Sequence, residues 1–230
     1  MDYTNKVFSL TKKALGGYES IEAKNIGKLA YLSLTGKPEG PIRDRVAWLF
    51  QKEFDQNGES LISAREYKRY DLAILQLSEQ PGGNEHQVKH IFEFKVGSAA
   101  NFRERNKKFN QGNKYVKRVI SDFQKGSTKS ALEKITSVFI AVEPLEKIPE
   151  NEKPFIKYAG RSNALRKKYD EDDFNMNFLH QNIIDYFEEE DKLDIKKTAV
   201  IELEPYNGKN VRLHLLILSA KEDSFPLRSN

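Results

Sequence analysis

Residues 89–96 read KHIFEFKV, and the alternation in this octet decides the fold. Successive side chains of a strand leave opposite faces. Ile91, Glu93 and Lys95 therefore share one face, and Phe92, Phe94 and Val96 share the other. The aromatic face is the one to pack on a core. The opposite face carries a carboxylate beside an ammonium. Upstream, residues 71–77 read DLAILQL, apolar enough for a buried strand. Between the two runs stands Pro81-Gly82-Gly83, a turn signal. A hairpin through that turn brings Asp71, at the start of one strand, next to Glu93 and Lys95 near the end of the other.

Two carboxylates meeting at one point repel each other unless a cation lies between them. Hard oxygen ligands of this kind suit Mg2+ or Mn2+, with several waters retained. Such a cation polarises a phosphoryl oxygen and lowers the pKa of a bound water. Lys95 is placed to orient the attacking hydroxide and to offset charge developing on the phosphate. The chain has no cysteine, which excludes disulfides, thiolate catalysis, zinc fingers and iron–sulfur clusters. The four histidines (His86, His90, His180, His214) show no metal-ligand spacing. Glu-x-Lys alone is weak in a chain this rich in both residues, where it also arises as a cross-strand salt bridge. The hairpin, a preceding helix and a following basic helix are what give it weight.

Working outward, residues 5–34 have helical periodicity, weakened at Gly16 and Gly17 and broken at Thr35-Gly36-Lys37-Pro38. A second helix is predicted from about Pro41, through Ile42, Val46, Leu49 and Phe50, to Asn57-Gly58. Trp48 and the phenylalanines read as core. Residues 61–67 form a further strand. Residues 99–123 are helical, with Gly112 as a point of interruption, and 135–142 form a buried strand. Residues 146–157 read as a loop, and Arg161, Arg166, Lys167 and Lys168 beyond it read as a loop-like basic patch. A helix over 173–189 has Phe174, Phe178, Ile183, Ile184 and Phe187 as its apolar side. Residues 199–203 and 211–218 pair as a hairpin through Tyr206-Asn207-Gly208. This C-terminal part either extends the sheet or forms a second layer. The order of elements predicts an α/β fold, a mixed sheet flanked by helices.

The chain has 230 residues, enough for one domain or one core with an elaboration. Its 38% hydrophobic and 31% charged residues place it among globular rather than disordered chains. The net charge of +4 is unevenly spread. From Arg103 to Lys129 the bases Arg103, Arg105, Lys107, Lys108, Lys114, Lys117, Arg118, Lys125 and Lys129 face only Glu104 and Asp122, whereas 170–194 is strongly acidic. A basic block of this kind either holds a phosphate backbone or is a solvated helix face. Neither a signal peptide nor an apolar run of the roughly 18 residues of a membrane span is present, and a cytoplasmic location is expected.

Asp71, a hairpin, and then Glu93-Phe94-Lys95 in an alternating strand resemble the PD-(D/E)XK nuclease superfamily. The helix opened by Pro38-Glu39-Gly40-Pro41-Ile42-Arg43 is similar to that of the N-terminal nuclease domains of restriction-enzyme subunits, where a Glu ahead of an Arg precedes the same hairpin. Glu39 matches best, with Asp44 and Glu53 as alternatives. Gln111 and Tyr115, four apart, are similar to the Gln-x-x-x-Tyr helix of part of the superfamily, where the Gln lines the active site. Tyr70 stands where the family has its name-giving Pro. The resemblance covers roughly residues 38–142. It implies a restriction-endonuclease-like mixed β-sheet as the core (37–143), with an N-terminal helical segment (1–36) and a C-terminal α/β extension (144–230). It implies catalysis by Asp71, Glu93, Lys95 and Gln111, with Asp71, Glu93 and Glu39 holding Mg2+, for which Mn2+ substitutes. The implied activity is an endonuclease acting on double-stranded DNA, a restriction or related defence enzyme, working as a homodimer. A repair, recombination or RNA-cleaving nuclease on the same core is the alternative. A non-catalytic nucleic-acid-binding or assembly module, and an unrelated α/β domain with a plain Glu93–Lys95 salt bridge, are the readings from other classes.

Overall fold

The computed structural model describes residues 1–16, 27–77, 86–103, 111–125, 134–157, 159–171, 176–221 and 224–225. Three helices come first: α1 (Tyr3–Gly16), α2 (Lys28–Thr35) and α3 (Glu39–Asn57). Strands β1 (Leu61–Arg65), β2 (Leu72–Gln76) and β3 (Gln87–Ser98) follow, with a 3-10 turn over Ala99–Phe102. Next come α4 (Gly112–Phe123), β4 (Ile135–Pro144), α5 (Ala159–Glu171), α6 (Met176–Glu188), β5 (Leu193–Tyr206) and β6 (Lys209–Ala220).

The six strands form one sheet in the order β1-β2-β3-β4-β6-β5. Only β3 and β4 pair in parallel; the other neighbours are antiparallel. This is the mixed sheet that the sequence predicts. The C-terminal hairpin extends it by pairing β6 with β4, so of the two expectations for that region the extended sheet is the one found. β4 is buried along its whole length, as befits an apolar strand covered on both faces.

Helices α1, α2 and α3 cover one face. There Phe92, Phe94, Val138 and Ile140 meet Val7, Leu10, Leu34, Val46, Phe50 and Phe54. The Phe50 and Phe92 rings stack with centroids 5.4 Å apart. The opposite face lies under the 3-10 turn, α4, α5 and α6, where Phe102, Val116, Val119, Leu165, Leu179 and Phe187 meet Phe139, Leu216 and Leu218. α3 closes on Gly58, whose φ of 65° lies in the left-handed region that glycine enters without cost. Asn207 and Gly208, both at positive φ, turn β5 into β6 as the Asn-Gly pair predicts.

β5 serves both layers. Leu193 and Ile195 face α6, whereas Ala199, Ile201 and Leu203 face α1 and α2. All five positions are odd, so strict alternation would put them on one side. A bulge between Ile195 and Lys197 inserts one surplus residue and reverses the faces.

Three expectations are corrected. Trp48 is 59% exposed and Phe155 73% exposed, so neither is core. Val46, Ala47, Leu49, Phe50 and Phe54 form the inward stripe of α3, and residue 48 falls on the far side of the 3.6-residue turn. Phe178 is 55% exposed, because the inward stripe of α6 is Leu179, Asn182, Ile183, Tyr186 and Phe187. Arg161, Arg166, Lys167 and Lys168 lie on helix α5 rather than in a loop. The Pro81-Gly82-Gly83 turn, Phe174, and the bases Arg105, Lys107, Lys108 and Lys129 lie outside the described residues.

Candidate active site

β2 begins at Leu72, which pairs with Phe92, while β3 runs on to Ser98. Beyond Phe92, the β3 edge on the β2 side therefore has backbone amides without a strand to pair with. Carboxylates take that place. The Phe94 N–H donates to Asp71 Oδ2 at 2.8 Å, and the Val96 N–H donates to Glu39 Oε2 at 3.1 Å. Asp71 directly precedes β2, and its own carbonyl accepts from the Glu66 N–H at 2.8 Å, which fixes the turn that presents it. Arg43, one turn along α3 from Glu39, reaches Glu66 at 3.0 Å and Asp71 Oδ1 at 3.9 Å.

Glu93 leaves the opposite sheet face and is 1% exposed. Lys95 follows it on the same side. Its Nζ lies 3.5 Å from Glu93 Oε2, 3.7 Å from Asp71 Oδ2 and 3.0 Å from the Phe94 carbonyl oxygen. The three residues that the hairpin argument brings together do converge.

The C-terminal end of α4 adds two residues that the sequence reading passed over. Asp122 Oδ2 is 2.9 Å from Lys95 Nζ, and Lys125 Nζ is 2.7 Å from Glu93 Oε1 and 2.8 Å from Asp122 Oδ1. Their signal was present: Asp122 is one of two acids in a long basic run, and Lys125 stands one helical turn after it. Gln111, by contrast, stands at the N-terminal end of α4. Among the described residues no hydrogen bond or ion pair joins it to Asp71, Glu93 or Lys95. Tyr115 is buried, its ring pressed onto Gly97 and beside Phe102 and Phe139.

Burial pushes the Glu93 carboxyl up to about 7; the Lys125 hydrogen bond opposes this, and Asp122 and Asp71 add to it. Burial likewise raises Glu39, offset by Lys95 and by the Val96 amide. Burial alone would lower Lys95 and Lys125, but Asp122 and Glu93 outweigh it and hold both ammoniums charged.

Among the described residues no group of three or more His, Asp or Glu side chains is arranged to hold a metal ion. This does not conflict with Mg2+, which is bound through one or two carboxylates and keeps its waters. Asp71, Glu93 and the Phe94 carbonyl supply hard oxygens of that kind, and a carboxyl raised by burial and by neighbouring carboxylates is one that a cation would relieve. The donor set fits a hydrated divalent cation at Asp71 and Glu93. Glu39 sits further along the same β3 edge, bound to the Val96 amide.

A second buried polar cluster lies on the same sheet face, at the far end of β4. Glu143 is fully buried and is met by the Arg166 guanidinium, the Tyr169 hydroxyl at 2.8 Å, Arg212 at 3.4 Å and His214 Nε2 at 2.9 Å. Burial pushes its carboxyl up, but His214, Arg166 and Tyr169 outweigh that and hold it down to about 2. An ionised carboxylate only accepts, so His214 Nε2 carries the proton of that bond. The other ring nitrogen of His214 lies 3.2 Å from His180 Nδ1. This cluster pins α5 and α6 to the sheet.

No protein-family model matches the sequence, and neither a curated protein nor a solved structure is significantly similar to it. No described helix is long and apolar enough to cross a membrane.

Proposed function

We propose that this chain is a divalent-metal-dependent nuclease that hydrolyses phosphodiester bonds in DNA, a member of the PD-(D/E)XK group with Mg2+ as its cofactor. The observation that carries this reading is the meeting of the Asp71 and Glu93 carboxylates beside Lys95, where β2 begins and β3 runs on past it. A divalent cation held by these two carboxylates supplies Lewis-acid polarisation of a phosphoryl oxygen and an activated water. Asp71 is held in place by the Phe94 amide, so its second oxygen is oriented before any ligand arrives. Lys95 offers an ammonium within reach of both carboxylates, where negative charge would build on a phosphate in flight. Glu39 and Arg43 brace the edge from α3.

The basic side chains Lys114, Lys117 and Arg118 are exposed on the outer side of α4, whose last turn enters the site, and they suit a phosphate backbone. Double-stranded DNA is the substrate proposed, cut in a restriction or related defence role by a homodimer in which each site cleaves one strand.

The test is plasmid and phage genomic DNA incubated with the protein and Mg2+, Mn2+ or EDTA, beside a Lys95→Ala variant. Metal-dependent cutting, reduced roughly 100- to 1,000-fold in the variant, is the expected result. Discrete fragments mark a restriction enzyme. Equal cutting by wild type and variant sinks the assignment of Lys95, and cutting confined to RNA moves the substrate class.

A further inference from the structure

Lys125 belongs to no part of the mechanism just given, yet its ammonium holds the most buried carboxylate of the site. We infer that Lys125 is a displaceable plug: its ammonium occupies the Glu93 side of the cation position, and a divalent cation must expel it to bind. This rests on the metal-dependent reading above and concerns the regulation of the same site.

Lys125 Nζ lies 2.7 Å from Glu93 Oε1 and fills an acceptor position that a cation bound on that side of the carboxylate would need. Two positive charges sharing one carboxylate repel, so the two occupants compete for it. The side chain is built to leave. It is 27% exposed, and its four-carbon stem is flexible, whereas Glu93 is locked inside the fold. The backbone below it is fixed, since the Lys125 carbonyl accepts from the Arg69 guanidinium and its N–H donates to the Asp122 carbonyl. Only the tip needs to swing. Asp122 Oδ1, 2.8 Å from the ammonium, keeps hold of it after it lets go of Glu93, so expulsion does not strand a charge. Lys95 cannot play this part, because it is shared among Asp122, Glu93 and Asp71 rather than set on one oxygen of Glu93.

The experiment is Mn2+ titration without nucleic acid, followed by the electron paramagnetic resonance signal of free Mn2+, on wild type, Lys125→Met, Lys125→Arg and Glu93→Gln. Circular dichroism checks each fold. Lys125→Met is expected to bind Mn2+ roughly tenfold more tightly than wild type, which corresponds to about 1.4 kcal/mol. Lys125→Arg, still cationic, stays near wild type, and Glu93→Gln loses the site. Unchanged or weaker binding in Lys125→Met overturns the plug while leaving the metal site standing. Binding that survives Glu93→Gln places the ion elsewhere and also overturns it. No binding by wild type or Lys125→Met removes the metal reading itself, and the plug with it. Should Lys125→Met fail to fold, the wild type answers alone: its Lys125 ammonium 15N resonance, assigned with Lys125→Arg, shifts on Mg2+ addition if the plug is displaced and stays fixed if it is not.

Discussion

The Asp71 carboxylate and the Phe94 amide stand 2.8 Å apart, so a side chain completes the hydrogen-bonding edge that β2 leaves unfinished. An asparagine there still presents an acceptor oxygen to that amide but brings no charge. Asp71→Asn is therefore expected to melt within a few degrees of wild type while losing metal-dependent cleavage by at least roughly 100-fold. Thermal unfolding and a plasmid assay separate the two effects. A large drop in melting temperature with cleavage retained would show Asp71 to be a strand cap alone.

His90 gives the fold an acid-sensitive point. It is buried on β3, 2.8 Å from Thr136 Oγ1 and stacked on Tyr3, and burial pushes its pKa down to about 4. The unfolded chain takes up a proton near 6.5, so between pH 6.5 and 4 the unfolded state binds more protons than the folded one. The associated stability is complete above pH 6.5 and falls as pH drops to 4, by on the order of 3 kcal/mol. Urea unfolding at a series of pH values should show this slope. The difference between the wild-type and His90→Gln curves isolates this contribution from those of His180, also pushed down to about 4 by burial, and of Glu93, whose raised carboxyl acts in the opposite sense over the same range.

Glu143 has no role in the proposed chemistry, and its loss is predicted to act on stability alone. Removing it leaves Arg166, a partly buried cation, and the buried His214 without their common acceptor. Breaking such a buried group costs about 3–5 kcal/mol. Denaturant melts of Glu143→Ala should show that loss, with Mn2+ affinity unchanged in whatever fraction stays folded.

Gly97 and Tyr115 form a packing pair. A Cβ on Gly97 would sit 2.8 Å from the Tyr115 ring, which Phe102 and Phe139 hold in place. Gly97→Ala is expected to cost about 1–3 kcal/mol. The cost should shrink in a Tyr115→Leu background, and a double-mutant cycle measures the coupling. Strict additivity would mean that the ring moves aside freely.

Much of the sheet was legible because its strands carry strong local signals. The alternation about Glu93 fixed the faces of β3, and Asn207-Gly208 fixed the last hairpin. Asp71, Glu93 and Lys95 could be brought together from strand polarity alone. What stayed hidden depends on tertiary placement. Asp122 stands out as an acid in a basic run, but its position along the chain does not say that the end of α4, rather than Gln111 at its start, comes down on Glu93. Trp48 and Phe178 were misjudged because hydrophobicity was counted without the helical angle, and Arg166 because the charge of α5 masked its helicity.

The surplus residue in β5 has a consequence for how the protein comes apart. Because that strand presents Leu193 and Ile195 to one layer and Ala199, Ile201 and Leu203 to the other, neither layer can melt without stripping the strand from its neighbour β6. The first helix and the sixth thus share a fate, although the sheet lies between them. Heat should dissolve the whole molecule in one cooperative step, with calorimetric and van't Hoff enthalpies in agreement.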